Sequence, residues 1–328
     1  MIAVTGGNGL LGSFVIEELL KSNTPCIGLR RENSINSGVF KNEDKIQWKI
    51  ADVLNPVQLE ESFEGISTVI HTAAKVDLNP WHRKEVMEVN VQGTKNVVDA
   101  CLNAGVKNIL HVSSVAALGK PNELKVIDES QTWIPGSSNS SYGESKFLSE
   151  LEIYRGKEEG LKVIIINPSV ILAPGNWNSS SARMFKYVWD ENLFYFDRSI
   201  NYVDVRDVVK GIMKLLPFSM AGERFILNGG KVSALSLLKR MALHFGKRPP
   251  RFQLKGSWLG GLARLEEYRS LIFGGNPLIT RDTTQQGGRE IFYDNQKAKN
   301  VLGLDFQELE ETVEWCCAYY LNNQSNKN

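Results

Sequence analysis

The feature of the sequence that most constrains its fold is the glycine-rich run TGGNGLLG at residues 5–12. An apolar run precedes it and apolar side chains at helical spacing follow it, so we predict a strand, a tight turn and a helix. Such a turn suits the pyrophosphate of a dinucleotide, because backbone N–H groups and the helix dipole face the phosphates and no Cβ blocks their approach. The predicted cofactor contacts in this turn are Gly6, Asn8, Gly9, Leu10, Leu11 and Gly12.

The composition argues against several classes of protein. The 328 residues are 42% hydrophobic, enough for a large core, and the net charge of +1 gives no basic footprint for a nucleic acid. No signal peptide is apparent, and no apolar stretch approaches the roughly 18 residues of a membrane span. The four cysteines form no C-x-x-C motif and the four histidines have no metal-ligand spacing. We therefore expect a cytoplasmic protein with reduced thiols, no metal and no membrane partner.

Strand and helix patterns alternate over the first half of the chain without hairpin signals. Beyond the first strand, apolar strands are predicted at residues 25–29, 45–51, 68–74, 106–112 and 161–172. This alternation predicts an α/β fold with a doubly wound parallel sheet, the Rossmann fold.

The second half of the chain has shorter and more mixed elements, which favour a smaller C-terminal lobe that closes over the substrate. We predict a dinucleotide-binding domain at 1–174, a mainly substrate-binding lobe at 175–321 with some segments returning to the first domain, and a frayed tail at 322–328. Within the lobe, apolar residues from Trp258 to Tyr268 recur at helical spacing and favour core packing, with a lid or a membrane-leaning face as alternatives.

The end of the second strand predicts the choice of cofactor. In a doubly wound fold an acidic residue there binds the ribose 2′-hydroxyl of NAD, whereas an arginine pairs with the 2′-phosphate of NADP. Arg30 occupies this position, with Arg31 and Glu32 after it. We therefore expect NADP; NAD is the alternative, since two arginines at a strand end also suit a solvated edge.

Tyr142 and Lys146 stand four residues apart in a helix predicted at residues 142–159, hence on one face of it. A nearby lysine cation stabilises a phenolate, so we expect Lys146 to lower the pKa of Tyr142 and to bind the nicotinamide ribose. Ser114 follows the fifth strand, where it would polarise a substrate carbonyl. A tyrosine and lysine at this spacing also suit an exposed helix, but the order of glycine turn, serine and helix favours a carbonyl-reduction site.

These motifs resemble those of the extended short-chain dehydrogenase/reductases, in the NAD-dependent epimerase/dehydratase superfamily. Within it they are most similar to the dihydroflavonol-reductase-like and 3β-hydroxysteroid-dehydrogenase-like members. The resemblance covers essentially the whole chain. It rests on residues 5–12, 52–53, 71–74, 90–94, 112–114, 142–146, 167–169, 201–208 and 293–298.

The resemblance implies a role for each matching residue. Tyr142 would be the catalytic acid, with Lys146 and Ser114 in support, and Asn90 would brace the site. Members of the family often dimerise through two helices, which here are at residues 83–104 and 142–159. The further cofactor contacts are Asp52 and Val53 near the adenine, Thr72, Ala73 and Ala74 along the cofactor, and Pro168 and Ser169 beside the nicotinamide.

Departures from the family pattern narrow the function. The 4,6-dehydratases carry an acidic pair after the catalytic serine or threonine, but residues 115–117 here are Val-Ala-Ala. Residues 166–169, Ile-Asn-Pro-Ser, are closer to the reductases than to the galactose epimerases. We therefore expect an NAD(P)-dependent oxidoreductase that reduces an aldehyde or ketone, or oxidises the alcohol. The alternatives are an NAD-dependent nucleotide-sugar epimerase and, in another class, a binding protein that senses the cofactor.

Overall fold

The computed structural model of the chain describes residues 1–35, 40, 43–119, 126–134, 139–177, 181–196, 198–254 and 291–325. The apolar pattern predicted from Trp258 to Tyr268 lies outside these residues. Among the residues described, no helix combines the length and apolar character that crossing a bilayer requires. The same residues contain no cluster of three or more His, Cys, Asp or Glu side chains suited to a metal ion.

Strands and helices alternate in the first half of the chain and are mixed in the second. The strands are β1 Ile2–Thr5, β2 Cys26–Arg30, β3 Gln47–Ile50, β4 Thr68–His71, β5 Asn108–Val112, β6 Val126–Ile127, β7 Lys162–Pro168, β8 Val170–Leu172, β9 Phe194–Tyr195, β10 Ser199–Asp204, β11 Arg224–Leu227, β12 Gly230–Ser233, β13 Phe252–Gln253 and β14 Phe292–Tyr293. The helices are α1 Leu10–Lys21, α2 Pro56–Phe63, α3 Arg83–Met87, α4 Gly93–Asn103, α5 Ser141–Glu158, α6 Ala182–Trp189, α7 Val205–Leu215, α8 Ala234–Phe245, α9 Gln296–Leu302 and α10 Leu309–Ser325.

Seven parallel strands form the main sheet, in the order β11-β7-β5-β4-β1-β2-β3. In its centre Ile2 of β1 lies opposite Cys26 on one side and Thr68 on the other. The chain winds outward in both directions from β1, so the strand order reverses between β1 and β4. This topology confirms the predicted doubly wound sheet and places a crevice at the carboxyl ends of those two strands.

Helices cover both faces of the main sheet. The adjacent residues Ala3 and Val4 belong to separate buried clusters, because successive side chains of a strand point to opposite faces. One cluster packs against α1 and α7, and the other against α2, α4 and α5. The homodimer expected through the helices at residues 83–104, which include α3 and α4, and at residues 142–159 stays a prediction.

The apolar run predicted as one strand at residues 161–172 is two strands. β7 belongs to the main sheet, whereas β8 pairs with β10 in a second sheet of three strands, β12-β10-β8. Ser169 lies between them, and its N–H donates to the carbonyl of Leu227 at 3.0 Å. The chain therefore leaves the main sheet at Ser169, beside the crevice.

The second half of the chain contributes to both parts of the molecule. A third buried cluster joins the second sheet to α6, α8 and α10. In contrast, α7 packs against α1 and β11 forms the edge of the main sheet, with α9 against it. The last helix, α10, continues to Ser325, so the part of the predicted frayed tail at residues 322–325 is helical. The assignment of dinucleotide binding to residues 1–174, and mainly of substrate binding to residues 175–321, stays a prediction.

Candidate active site

The glycine turn between β1 and α1 requires glycine at two positions. Gly6 has a φ of +63°, and a Cβ there would lie 2.8 Å from Ala73 Cα. A Cβ on Gly12 would lie 2.9 Å from Gly7 Cα, so α1 could not begin so close to the turn. Gly9 precedes α1 and has no side chain that could cap the first N–H groups of the helix. The first turn of α1 also contains no acidic residue. These N–H groups fit the pyrophosphate of a dinucleotide.

The side chain of Asn8 connects this turn to the segment after β2. Its Nδ2 donates to Ser34 Oγ at 2.8 Å and to Ile35 O at 3.2 Å. Leu10 and Leu11 follow as the first residues of α1, and Leu11 is buried. The turn and the residues after Arg30 are thus held together at one edge of the sheet.

Arg30 ends β2, as the sequence predicted. The Cζ of its guanidinium lies 4.9 Å from the centroid of the Trp48 ring. Its Nε is buried and has no hydrogen-bond partner among the residues that the structure describes. A guanidinium positioned by an aromatic ring is suited to pair with an anion such as a ribose 2′-phosphate.

The residues after β4 reach the same crevice. Thr72 Oγ1 donates to Thr5 O at 2.7 Å, and the N–H of Ala73 donates to Thr5 Oγ1 at 3.3 Å. Ala74 continues this segment away from the strand. Thr72 and Ala73 therefore lie beside the glycine turn, and the contact of residues 72–74 with a cofactor stays a prediction.

Asp52 and Val53 follow β3, further along the sheet edge. Asp52 Oδ1 accepts from the N–H of Leu54 at 2.9 Å. Asp52 also lines a cleft of about 300 Å³ together with Arg31, Glu32, Ile50, Leu54, Asn55 and Gln58. Val53 is buried, and its carbonyl accepts from Asn96 Nδ2 at 2.9 Å. Asp52 faces open space beside the segment that follows Arg30; the adenine role of both residues stays a prediction.

Ser114 and Tyr142 meet where β5 ends and α5 begins. The Ser114 side chain is close enough to the Tyr142 hydroxyl to act on its pKa, and Ser114 Oγ accepts from the N–H of Ala116 at 3.2 Å. Close packing makes this possible, because a Cβ on Gly143 would lie 2.8 Å from Ala116 O. The side chain of Ser140 caps α5, accepting from the N–H of Gly143 at 3.0 Å. The sequence predicted that Ser114 and Tyr142 belong to one site, and their roles toward a substrate stay predictions.

Lys146 lies one turn after Tyr142 and is 2% exposed. Its Nζ donates to Val112 O at 2.9 Å. Burial lowers the pKa of Lys146 to about 8, and the carboxylate of Glu150 acts in the opposite direction. Burial also raises the pKa of Tyr142 to about 12, and the neighbouring Ser114 side chain acts in the opposite direction. We predicted a lowered pKa for Tyr142, and this prediction is wrong. The cost of burying a phenolate outweighs any stabilisation by neighbouring groups, so the pKa is raised.

His71 at the end of β4 connects three elements beneath the crevice. Thr94 donates its hydroxyl proton to Asn90 O at 2.6 Å, so its oxygen accepts from His71 Nε2 at 3.0 Å. His71 Nδ1 then accepts from the hydroxyl of Thr5 at 2.7 Å. The neighbouring hydroxyls thus assign the proton of the ring to Nε2.

Two buried histidines lie beside Lys146. The rings of His71 and His111 are 5.1 Å apart between centroids. Burial and the charge of Lys146 lower the pKa of His71 to about 3, and the same effects with His71 lower the pKa of His111 well below its usual value. Both rings are therefore neutral at physiological pH and belong to the packed strands.

Asn90 braces the site from a single π-helical turn, Glu88–Gln92, which separates α3 from α4. Its amide accepts from Lys75 N at 2.7 Å and donates to Lys75 O at 3.0 Å and to Ser145 Oγ at 2.9 Å. Its carbonyl accepts from the hydroxyl of Ser149 at 2.7 Å. The loop after β4 is thus tied to the face of α5 that carries Lys146, which agrees with the bracing role the family implies.

A polar cluster that sequence reasoning missed lies behind Lys146. Asn167 Nδ2 donates to Glu150 Oε1 at 2.7 Å and to Ser114 O at 2.9 Å. Arg224 of β11 forms an ion pair with Glu150 Oε2. Pro168 ends β7, and the hydroxyl of Ser169 after it is buried without a partner among the described residues. The spacing of four residues between Lys146 and Glu150 was the signal that could have indicated part of this cluster.

The doubly wound sheet with its glycine turn is the fold of the extended short-chain dehydrogenase/reductases, which are NAD(P)-dependent oxidoreductases. Comparison with known proteins agrees: the model of the NAD dependent epimerase/dehydratase family matches residues 2–227. The chain belongs to this family, which confirms the resemblance that its motifs indicated.

Relatives and solved structures match most of the chain. A Synechocystis sp. protein with a dihydroflavonol 4-reductase name is 27% identical over 95% of this chain and 93% of its own length. Cinnamoyl-CoA reductase 1 of Petunia hybrida is 27% identical over 95% of this chain and 90% of its own. The crystal structure of gox2253 is 30% identical with a TM-score of 0.83, covering 98% of both chains. UDP-glucose 4-epimerase of Thermotoga maritima, 19% identical over 98% of this chain and 99% of its own with a TM-score of 0.80, shares the fold.

Proposed function

We propose that the protein reduces an aldehyde or ketone with NADPH, or catalyses the reverse oxidation of the alcohol. The observation that carries this proposal is the approach of Ser114, after β5, to Tyr142 at the start of α5, with Lys146 one helical turn further along. Two relatives bear the names of reductases, a dihydroflavonol 4-reductase and a cinnamoyl-CoA reductase, which supports reduction over epimerisation.

Each residue of the site would have its own task. Tyr142 keeps its proton at neutral pH, because its pKa is raised to about 12, so it can donate that proton to the carbonyl oxygen. Ser114 would hydrogen-bond the same oxygen and stabilise its developing negative charge. Lys146 gives one N–H to Val112 O and has two more for the ribose hydroxyls of the cofactor. The bound cofactor supplies the hydride.

A panel of aldehydes and ketones tests this proposal. Purified protein is incubated with NADPH and each carbonyl compound, and cofactor consumption is compared with alcohol formation. Equal amounts of both support the proposal. Tightly retained NAD⁺ with epimerisation of a nucleotide sugar and no net cofactor turnover would instead establish the alternative. Failure of the whole panel, with NADPH-dependent binding of a protein partner, would favour a cofactor sensor.

Arg30 underlies the choice of NADP over NAD in this proposal. Loss of a charged hydrogen bond to the 2′-phosphate removes about 1.5 to 3 kcal/mol, which is roughly tenfold or more in affinity. We therefore expect Arg30→Ala to weaken NADPH binding by about that factor and to leave NADH binding nearly unchanged. Titration of both cofactors into wild type, Arg30→Ala and the neighbouring Arg31→Ala checks this. Equal losses for NADPH and NADH, or a wild-type preference for NADH, would contradict the assignment.

The activity should fall as the pH rises through about 8. The pKa of Lys146 is lowered to about 8, so its charged form is complete below that pH and is lost above it. Tyr142 is not the source of this loss, because its pKa is about 12. We expect kcat/KM, which reports groups of the free enzyme, to decrease with an apparent pKa near 8. In Lys146→Arg, where the cation cannot lose its proton, this decrease should disappear even if activity is lower; its persistence at the same pH would contradict the assignment.

A further inference from the structure

We propose that Glu150 is a positioning residue of the catalytic site: its carboxylate keeps Lys146 in the charged form and, through Asn167, holds the strand end that carries Ser114. This inference rests on the proposed function, in which Ser114, Tyr142 and Lys146 act on substrate and cofactor. Glu150 itself lies behind these residues and touches none of the reacting groups.

The structure connects Glu150 to Lys146 and to Ser114, the two residues proposed to support Tyr142. Glu150 is 1% exposed and lies four residues after Lys146 in α5, so the two side chains are neighbours on one face. Asn167 Nδ2 donates one proton to Glu150 Oε1 at 2.7 Å and the other to Ser114 O at 2.9 Å. Since an amide nitrogen has only two protons, the orientation of Asn167 is determined by Glu150 on one side and by Ser114 on the other.

Arg224 completes the environment of the carboxylate from the edge strand of the main sheet. Its Nη2 donates to Glu150 Oε2 and also to Tyr154 Oη at 3.2 Å. Both oxygens of Glu150 are therefore occupied by hydrogen bonds. Burial raises the pKa of Glu150. Among its neighbours, the permanent charge of Arg224 has the largest opposing effect. The guanidinium and the Asn167 amide both favour the ionised carboxylate.

The charge of Lys146 depends on this carboxylate. Burial favours the neutral amine, and Glu150 is the neighbour that raises the pKa of Lys146 against it. The other groups that face the ammonium are His71 from β4, His111 from β5 and the protonated Tyr142 from its own helix. The two imidazoles are neutral, so they do not replace a negative charge. Without Glu150 a larger share of Lys146 would be uncharged at neutral pH.

The variant Glu150→Gln tests the proposal because it keeps an oxygen that can accept from Asn167 but removes the charge. An opposite charge at close range shifts a pKa by about 1 to 3 units. A loss of one unit would move the alkaline decrease in kcat/KM from about pH 8 to about pH 7, which lowers kcat/KM at pH 8 about fivefold more than at low pH. A role in stability alone would lower the melting temperature without moving this profile. An unchanged midpoint in a folded Glu150→Gln protein would overturn the proposal.

Two further variants make the result specific. Glu152→Gln is the matched control, because Glu152 lies on the same helix and pairs with Arg155 at 2.8 Å on the surface; its profile should match wild type. The double variant Glu150→Gln/Arg224→Met also removes the cation that the single variant leaves without its carboxylate partner. The shifted midpoint should persist in it. A return to the wild-type midpoint would mean that unpaired Arg224 caused the shift, and the proposal would be wrong.

A measurement without substrate separates this inference from the proposed function. The ¹⁵Nζ resonance of Lys146, assigned by its absence in Lys146→Gln, is followed against pH by NMR in wild type and Glu150→Gln. A lower titration midpoint in the variant supports the charge coupling even if the carbonyl panel fails. Equal midpoints overturn the coupling even if the enzyme proves to be a carbonyl reductase.

Discussion

Replacing Tyr142 with phenylalanine should lower kcat for carbonyl reduction by about 10²- to 10⁴-fold, the usual contribution of a positioned general acid. The phenyl ring preserves the packing at the start of α5 but has no proton for the substrate oxygen. KM and the affinity for NADPH should change little, because the lost interaction acts mainly in the transition state. Steady-state kinetics on a substrate found in the panel, with calorimetric titration of NADPH, measures both quantities.

Tyr319→Phe is the control for this variant. Tyr319 lies on α10 and packs against Tyr320, with ring centroids 5.6 Å apart, far along the chain from the catalytic helix. Its kcat should equal that of wild type. Tyr142→Phe removes a single hydroxyl, which should change the free energy of unfolding by about 1 kcal/mol and leave the protein folded. Near-normal turnover of Tyr142→Phe with NADPH bound would show that another group supplies the proton.

The sequence predicted the main sheet because its signals are local. Each buried parallel strand is a short apolar run, and each crossover helix repeats its apolar side chains at helical spacing, as in α1 with Val15, Ile16 and Leu19. The glycine turn was equally readable, since a positive φ and a close backbone approach leave few choices of residue. These features need no knowledge of which strands become neighbours.

The errors in the fold prediction occur where tertiary contacts decide. The run at 161–172 is apolar throughout, and nothing in it indicates that β7 and β8 join different sheets at Ser169. The break depends on Leu227 and on Tyr202, which pairs with Val170, and both lie far along the chain. Likewise β11 joins the main sheet beside β7, although its sequence does not distinguish it from the strands of the second sheet.

The candidate site shows the same division between local and tertiary information. The order of glycine turn, Ser114 and α5, together with the spacing along α5, led to the prediction that Ser114, Tyr142 and Lys146 share a site. The direction of the pKa shift of Tyr142 was not predictable, because the desolvation that raises it depends on the packing of α5 against Ala116. Glu150 was missed for a related reason: its partners, Asn167 and Arg224, come from two other strands.

The glycine turn provides a second large effect, this time on stability. Gly6→Ala places a Cβ 2.8 Å from Ala73 Cα at a φ of +63°. The left-handed backbone costs an alanine about 1 to 2 kcal/mol, and a forced contact with backbone costs about 1 to 3 kcal/mol more. We expect the free energy of unfolding to fall by about 2 to 5 kcal/mol, measured by urea denaturation. Because Ala73 lies along the predicted cofactor path, NADPH binding should weaken as well.

Gly65→Ala separates the two costs, because Gly65 has a φ of +71° but a Cβ there would meet nothing within 4 Å. It should lose only the backbone term, about 1 to 2 kcal/mol, and bind NADPH like wild type. The difference between the two variants then measures the contact with Ala73 alone. If both lose the same stability, the turn can move away from Ala73 without cost. The left-handed backbone alone would then explain why position 6 requires glycine. The close approach of the chain after β1 to the chain after β4 would not be the reason.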